Sequence, residues 1–254
     1  MKTRQIAKYG WKRDIPDHRD RIFKCTLSVE QLPKSVDLNS SCPPAYNQTN
    51  MGSCTANSIG LGIEYAVLKE KSEPDFMPSR LFIYYNERLI ENTVKYDSGA
   101  QIRDGIKSVN KQGVCPEKYW PYDIKLLKRK PNLKCYKIAL TNLVSSYHSI
   151  NQDLISMKTC LAEGFPFVLG FTVYDSFESQ DVAGSGIVNL PLPNENIVGG
   201  HAVTCIGYDD ATQRFLVRNS WGSEWGQNGN FTIPYAYLTN PNLASDFWTI
   251  RVVE

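Results

Sequence analysis

VGGHAVTCIGYDD, residues 198–210, decides how the rest of the chain is read. HAVTCIGY is a short β-rich run, GYDD after it marks a hairpin, and the two glycines ahead of His201 let the backbone come close to something. The same punctuation recurs from about residue 164 onward in FPFVLGFTV, GIV, RFLVRNS, GNFTI and FWTIRVV, which read as strands between turns. Upstream the period changes. Between Thr55 and Lys71 the apolar Ile59, Ile63, Ala66 and Val67 recur at helical spacing. RLFIYYNERLIEN (80–92) and QIRDGIKSVNKQG (101–113) are also predicted helices, the second ended by Gly113. The fold class is therefore α+β: a helical N-terminal lobe over approximately residues 40–145 and a mostly β lobe over 146–254. Residues 1–31, with the charged DIPDHRDR, read as an extension packed on or over a domain of residues 32–254.

Composition removes several classes of function. A chain of 254 residues, 42% hydrophobic and 11% aromatic, can bury a large core, so disorder is excluded. The net charge of +2 is near neutral. KLLKRKPNLK (125–134) has no interleaved aromatics and reads as a solvated loop, so no nucleic-acid partner is expected. No apolar run approaches the roughly 20 residues of a membrane span, and no membrane partner is expected. MKTRQIAKYGWKRD is not followed by an apolar segment. An ordinary signal peptide is therefore not seen, which points to a cytoplasmic or virion-associated protein, or to export by a non-standard route. Seven cysteines without a CxxC pair and three histidines give no metal-ligand spacing, so neither a metal nor a cofactor is expected. Cys115 with Cys135, and Cys25 with Cys42, could pair, but free thiols are equally compatible with the sequence.

NQTNMGSCTANSIG, residues 47–60, places Cys54 behind a small-residue turn at the head of a helix. Alone, Cys54 is a buried filler, half a disulfide or a nucleophile. The helix dipole would favour its thiolate, and a nucleophile further needs an imidazole and a group to hold that imidazole. His18 lies in the charged extension and His148 in a polar stretch, both read as surface. His201 at the mouth of its strand is the candidate. Eighteen residues on, Asn219 stands in RNSWGSEWGQNG, before Trp221.

Together, GSC opening a helix, GGHAV opening a strand and the NSWG turn resemble the papain-like cysteine peptidases of the cathepsin type (family C1), over nearly the whole domain. GVCPEKYWPYD (113–123) is similar to that family's turn between lobes. The resemblance implies a two-lobe fold, with a C-terminal antiparallel β-barrel-like lobe and the active site in the cleft between lobes. It implies Cys54 as nucleophile, His201 as its base, Asn219 holding the ring, Trp221 shielding that bond, and Gln48 with the Cys54 backbone N–H receiving the oxyanion. Ser98, Gly99 and Gly200 resemble positions lining the cleft, and an apolar side pocket is expected near Ala202, Phe171 and Leu243. The chain departs from the family at Met51, which replaces a disulfide cysteine, and at Thr55, which replaces a tryptophan. A reducing compartment, or a microbial or viral branch of the family, would account for the lost cysteine.

The function implied is hydrolysis of peptide bonds through a thiolate–imidazolium pair and an acyl-enzyme, on a peptide or protein in extended conformation. Endopeptidase action is favoured, since no occluding insertion is evident between Tyr96 and Gly113, and the enzyme is expected to be a monomer. The extension, too short for the family's helical propeptide, could lie across the cleft as a zymogen segment, with self-cleavage before LPKSVD. Two other functions fit: a catalytically silent peptide-binding relative, and another thiol acyl-transfer enzyme of transglutaminase or amidase type.

Overall fold

The computed structural model describes residues 9–71 and 76–253. The first eight residues of the extension lie outside the described residues. In chain order the elements are β1 (Trp11–Lys12), β2 (Ser35–Asp37), α1 (Cys54–Lys71), α2 (Arg80–Ile90), β3 (Ala100–Gln101), α3 (Ile102–Gln112), α4 (Leu133–Ala139), β4 (Val144–Ser149), α5 (Leu154–Ala162), β5 (Phe167–Tyr174), α6 (Gln180–Ser185), β6 (Ile197–Asp209), β7 (Arg214–Arg218), β8 (Asn230–Pro234), α7 (Tyr235–Leu238) and β9 (Ala244–Val253).

Local chemistry sets the helix ends. Ser79 caps α2 by accepting the Phe82 N–H at 3.1 Å, while its hydroxyl donates to Trp120 O at 2.6 Å. Gly113 ends α3 at φ 70°, where a Cβ would stand 1.8 Å from Ala139 O. The predicted strands, except GIV, whose Ile187 makes only an isolated parallel bridge to Thr232, lie in one antiparallel sheet of order β4-β9-β5-β6-β7-β8, with β2 added along β6. β4 and β8 do not meet, so the barrel-like lobe is an open, curled sheet. The GYDD hairpin joins β6 to β7, with Asp209 opposite Arg214.

Two apolar cores result. One lies within the β lobe around Phe167, Phe171, Phe215 and Phe231. The other joins Ile59, Ile63 and Ile106 of the helices to Val168, Ala202 and Ile250 of the sheet. Gly62 of α1 lets the helix rest on that sheet face, since a Cβ there would stand 3.3 Å from Ile250 Cδ1. The lobes are thus welded behind the cleft. The cleft opens where α1 begins and where β5, β6 and β9 bring Phe171, His201 and Ala244 side by side.

Residues 9–23 are laid across that opening as a strap. β1 pairs in parallel with β3, with Trp11 opposite Ala100, and Gly10 O accepts the Ala100 N–H at 2.7 Å. Further along, Arg103 of α3 clamps Asp20 and the carbonyl of Ile15. Ser149 N donates to Arg21 O at 2.8 Å, the Phe23 N–H donates to Ser149 O at 2.7 Å, and the Phe23 ring enters the β-lobe core. No described helix is long and apolar enough to cross a membrane.

Candidate active site

Cys54, the first residue of α1, is fully buried. It faces the start of β6, where His201 is likewise buried and Ala202 offers its N–H to the thiol. Asn219, in the turn after β7, reaches the ring: its Oδ1 lies 2.8 Å from His201 Nε2. The same Oδ1 accepts the Ser220 N–H at 2.8 Å, which fixes the amide's orientation. An oxygen already accepting can only receive from Nε2, so Nε2 carries the proton and Nδ1 is the basic nitrogen. Nδ1 is buried and has no hydrogen-bond partner among the described residues, as a base awaiting the thiol proton would be. The Trp221 ring lies 5.3 Å from the imidazole, and Phe171 and Phe177 pack their rings at 5.8 and 6.3 Å. They wall the Asn219–His201 bond off from water.

Gln48 is fully buried next to this group. Its Oε1 accepts from Ser220 Oγ at 2.5 Å, and its Nε2 donates to Met51 O at 2.9 Å, which leaves a second N–H on the same amide. The loop carrying Gln48 is held from below by Arg80. That guanidinium donates to both oxygens of Glu117 at 2.9 and 2.7 Å and to Asn57 Oδ1 at 3.1 Å, and it stacks 4.1 Å from the Tyr122 ring. Tyr122 OH in turn donates to Gln48 O at 2.9 Å.

At the two departures from the family pattern the chain carries other devices. Met51 is buried in the core of the helical lobe. Asp97 ties the turn before Cys54 to the Gly99 strip instead: its carboxylate accepts the Gly52 N–H at 3.1 and 3.0 Å and the Tyr84 hydroxyl at 2.5 Å, and that hydroxyl accepts the Gly99 N–H at 3.0 Å. Thr55 donates to Glu87 Oε2 at 2.8 Å, and Glu87 Oε1 has no partner among the described residues. Burial raises the Glu87 pKa well above its ordinary value and so favours the protonated form of this acid behind Cys54. A raised folded pKa stabilises below the unfolded value near 4.5 and loses that stabilisation as pH rises. Glu87→Gln is therefore expected to gain in melting temperature relative to wild type between pH 5 and pH 9. A gap independent of pH would refute the assignment.

Of the cleft positions, Gly99 and Gly200 line the trough, Ala202 is buried beside Cys54, and Ser98 turns its hydroxyl back onto Thr93 and Gly99 O at 2.7 and 2.9 Å. Phe171 and Leu243 lie in the β-lobe core. Side-chain space in the cleft is found instead between Gly170 and Gly200, and Trp11 fills it. A Cβ on Gly170 would stand 1.9 Å from the indole. The sequence singled out neither Gly170, Asp97 nor Trp11; the only available signal was an aromatic pair inside an otherwise charged extension. All seven cysteines are free thiols, Cys115 and Cys135 lying side by side. His18 is exposed and His148 half-buried on β4.

The strap changes the electrostatics. The Gly10 N–H points at the Cys54 thiol, and the Tyr9 ring lies 5.6 Å from the His201 ring. Sealed in this way, burial pushes the thiol up to about 11 and the imidazole down to about 4. At neutral pH the proton stays on sulfur.

A buried thiol, a basic imidazole nitrogen and an amide that orients the ring define a cysteine hydrolase built across two lobes. Residues 32–246 match the model of the papain family cysteine proteases, and the chain belongs to that family. It is 42% identical to a peptidase C1-like protein of Acanthamoeba polyphaga mimivirus, over all of this chain and 90% of the relative. It is 28% identical to a cathepsin B-like protein of Giardia intestinalis, over 85% of this chain and 74% of that one. Among solved structures it superimposes on xylellain, a cysteine protease from Xylella fastidiosa, with a TM-score of 0.89 at 45% identity, over 99% of this chain and 98% of that one. It is a cysteine peptidase whose substrates are peptides.

Proposed function

We propose that Cys54 attacks the scissile carbonyl after passing its proton to His201 Nδ1. The observation that carries this is the Asn219 amide, which accepts from both Ser220 N and His201 Nε2 and so fixes the tautomer. The developing oxyanion is received by the Gln48 amide and the Cys54 backbone N–H, and His201 then returns its proton to the leaving amine. Water releases the acyl group by the same route. The substrate lies extended in the trough where the strap now pairs with Ala100, with Gly99 and Gly200 allowing its backbone close approach. Every group in this scheme comes from a single chain, which supports action as a monomer.

Residues 1–31 act as the inhibitory segment of a zymogen, and 32–254 as the catalytic domain. Between Asp97 and Gly113 the chain goes straight through β3 into α3, with no insertion to block one end of the trough, which supports endopeptidase action. Cys54→Ala is expected to abolish both peptide hydrolysis and labelling by a peptidyl epoxysuccinyl inhibitor, and Gln48→Ala to keep labelling at Cys54 while losing about 10²–10³-fold in turnover. Turnover unaffected by Cys54→Ala would dismiss the scheme. Incorporation of an added amine in place of hydrolysis would instead assign the site to acyl transfer.

A further inference from the structure

Tyr122, in the turn GVCPEKYWPYD, takes no part in the scheme above. Its hydroxyl sits between the Gln48 loop and the peptide unit that joins Ser53 to Cys54. It donates to Gln48 O at 2.9 Å and lies 2.5 Å from Ser53 Oγ. The direction of each bond behind it is fixed. A carbonyl only accepts, so the single Tyr122 proton goes to Gln48 O, and Ser53 donates to Tyr122. Ser53 Oγ in turn accepts from Asn57 Nδ2 at 3.1 Å. The same Nδ2 donates to Ser53 O at 2.9 Å, which orients the Asn57 amide and leaves its Oδ1 to accept from Arg80 Nη1 at 3.1 Å.

The result is a one-way relay, from Arg80 through Asn57, Ser53 and Tyr122 to Gln48, that starts on a guanidinium and ends on a carbonyl. Gln48, Ser53, Asn57 and Arg80 are all buried. In such surroundings aligned hydrogen bonds polarise one another and an unpaired member is costly, so the relay tolerates little displacement. Its two ends matter to the chemistry. The Ser53 carbonyl held by Asn57 shares one peptide plane with the Cys54 N–H, and the Gln48 carbonyl held by Tyr122 anchors the residue whose amide faces the same oxygen. From the β lobe, Ser220 O accepts the Gln48 N–H at 2.8 Å. Ser220 alone would let Gln48 follow the β lobe; Tyr122 ties it to the helix that carries Cys54. Two donors stabilise an oxyanion only when both are held about 3 Å from the same point before charge develops there.

We propose that Tyr122 is a positioning residue of the oxyanion site, locking the Gln48 amide to the Cys54 N–H through Ser53. This rests on the peptidase scheme above, and the test separates the two.

The variants are made in the full-length Gly10→Ala chain, whose strap is displaced. Tyr122→Phe is expected to lower kcat on a peptide amide about tenfold or more, a part of the roughly 10²–10³ that loss of a whole donor costs, with KM held within about twofold. Iodoacetamide alkylates sulfur without forming an oxyanion, and its rate at Cys54 is expected to stay within about twofold. In a Gln48→Ala background Tyr122→Phe is expected to change kcat by less than about twofold, because the two residues act as one unit. A loss of kcat that persists undiminished without the Gln48 amide, or that alkylation shares, overturns the proposal.

A second measurement needs no turnover. A peptide aldehyde adds to Cys54 as a hemithioacetal: the S–C bond forms, the carbonyl π bond opens, and the thiol proton passes through His201 to the oxygen, which occupies the oxyanion site. Tyr122→Phe is expected to weaken aldehyde binding about tenfold, in step with kcat. Equal affinity in the two chains overturns the proposal. If no peptide is cleaved, the peptidase scheme fails while the aldehyde titration still decides the role of Tyr122. Should Tyr122→Phe unfold for want of an acceptor for Ser53, Tyr122→Phe/Ser53→Ala removes both hydroxyls, leaves Asn57 Nδ2 on Ser53 O, and carries the same expectations.

Discussion

Gly10→Ala in the full chain is expected to raise the rate of Cys54 labelling by about 10²–10³-fold, and peptide turnover with it. A Cβ on Gly10 would lie 1.8 Å from the carbonyl oxygen of Gly52. Gly52 cannot retreat, because its N–H is held by both oxygens of Asp97, which is itself fixed by Tyr84. The strap must therefore leave the trough at this point. What it forfeits can be sized: burial of the Trp11 indole contributes about 1.5–3 kcal/mol, and its Asp246 hydrogen bond and the Gly10–Ala100 bond about 1 kcal/mol each. Their sum of about 4 kcal/mol corresponds to an opening constant near 10⁻³, which the variant removes. The rest of the extension is held independently by Arg103 and by the Phe23 ring in the β-lobe core, and the domain that follows is anchored by β2 on β6, so the fold survives. Stopped-flow alkylation with intact mass spectrometry reads the outcome. Rates for Gly10→Ala within a factor of three of wild type would mean that the strap does not guard the thiol.

The sequence carried the halves of the fold through periodicity alone. Ile59, Ile63 and Ala66 face one side of α1 because 3.6 residues make a turn, and the run HAVTCIGY is continuous rather than alternating because β6 is buried on both faces. Cys54, His201 and Asn219 could be assembled only through resemblance to a known family, since no local rule brings residues 147 and 18 positions apart together. What stayed illegible depended on packing across long separations. The slot beside Gly170 lies where β9 carries one residue more than β5 between paired positions, Trp248 to Ser245 against Val168 to Gly170, which pattern cannot foretell. The Asp97–Tyr84 brace replaces a covalent link with hydrogen bonds between residues that carry no motif. Trp11 looked like one aromatic in a charged tail, yet it contacts both lobes, because an aromatic body with one N–H donor suits a glycine-walled slot that ends in a carboxylate.

The same strap reverses the protonation expected of the proposed catalytic pair. A thiol at a helix start beside an imidazole should be an anion at neutral pH, and reactive cysteines in such settings titrate at about 3.5–7.5. Here desolvation dominates: both groups are fully buried, and burial pushes Cys54 up to about 11 and His201 down to about 4. The signs agree, since burial penalises the charged form of each, so between those two values the sealed site holds a neutral thiol and a neutral imidazole. Opening the trough admits water to both and lets the charge-separated pair form, with the Ala202 and Thr55 N–H groups already aimed at sulfur. Thiolate absorbance near 240 nm, with the Cys54→Ala spectrum subtracted, measures this directly. For wild type, thiolate at Cys54 is expected to rise only above about pH 10, whereas in Gly10→Ala it is expected to persist down to about pH 5, a change in thiolate fraction at pH 6 of roughly 10³, set by the opening constant of the wild-type strap. Coincident titrations in the two proteins would mean that the helix start and the imidazole, not the covering segment, set the state of the sulfur, and that the strap acts on access alone.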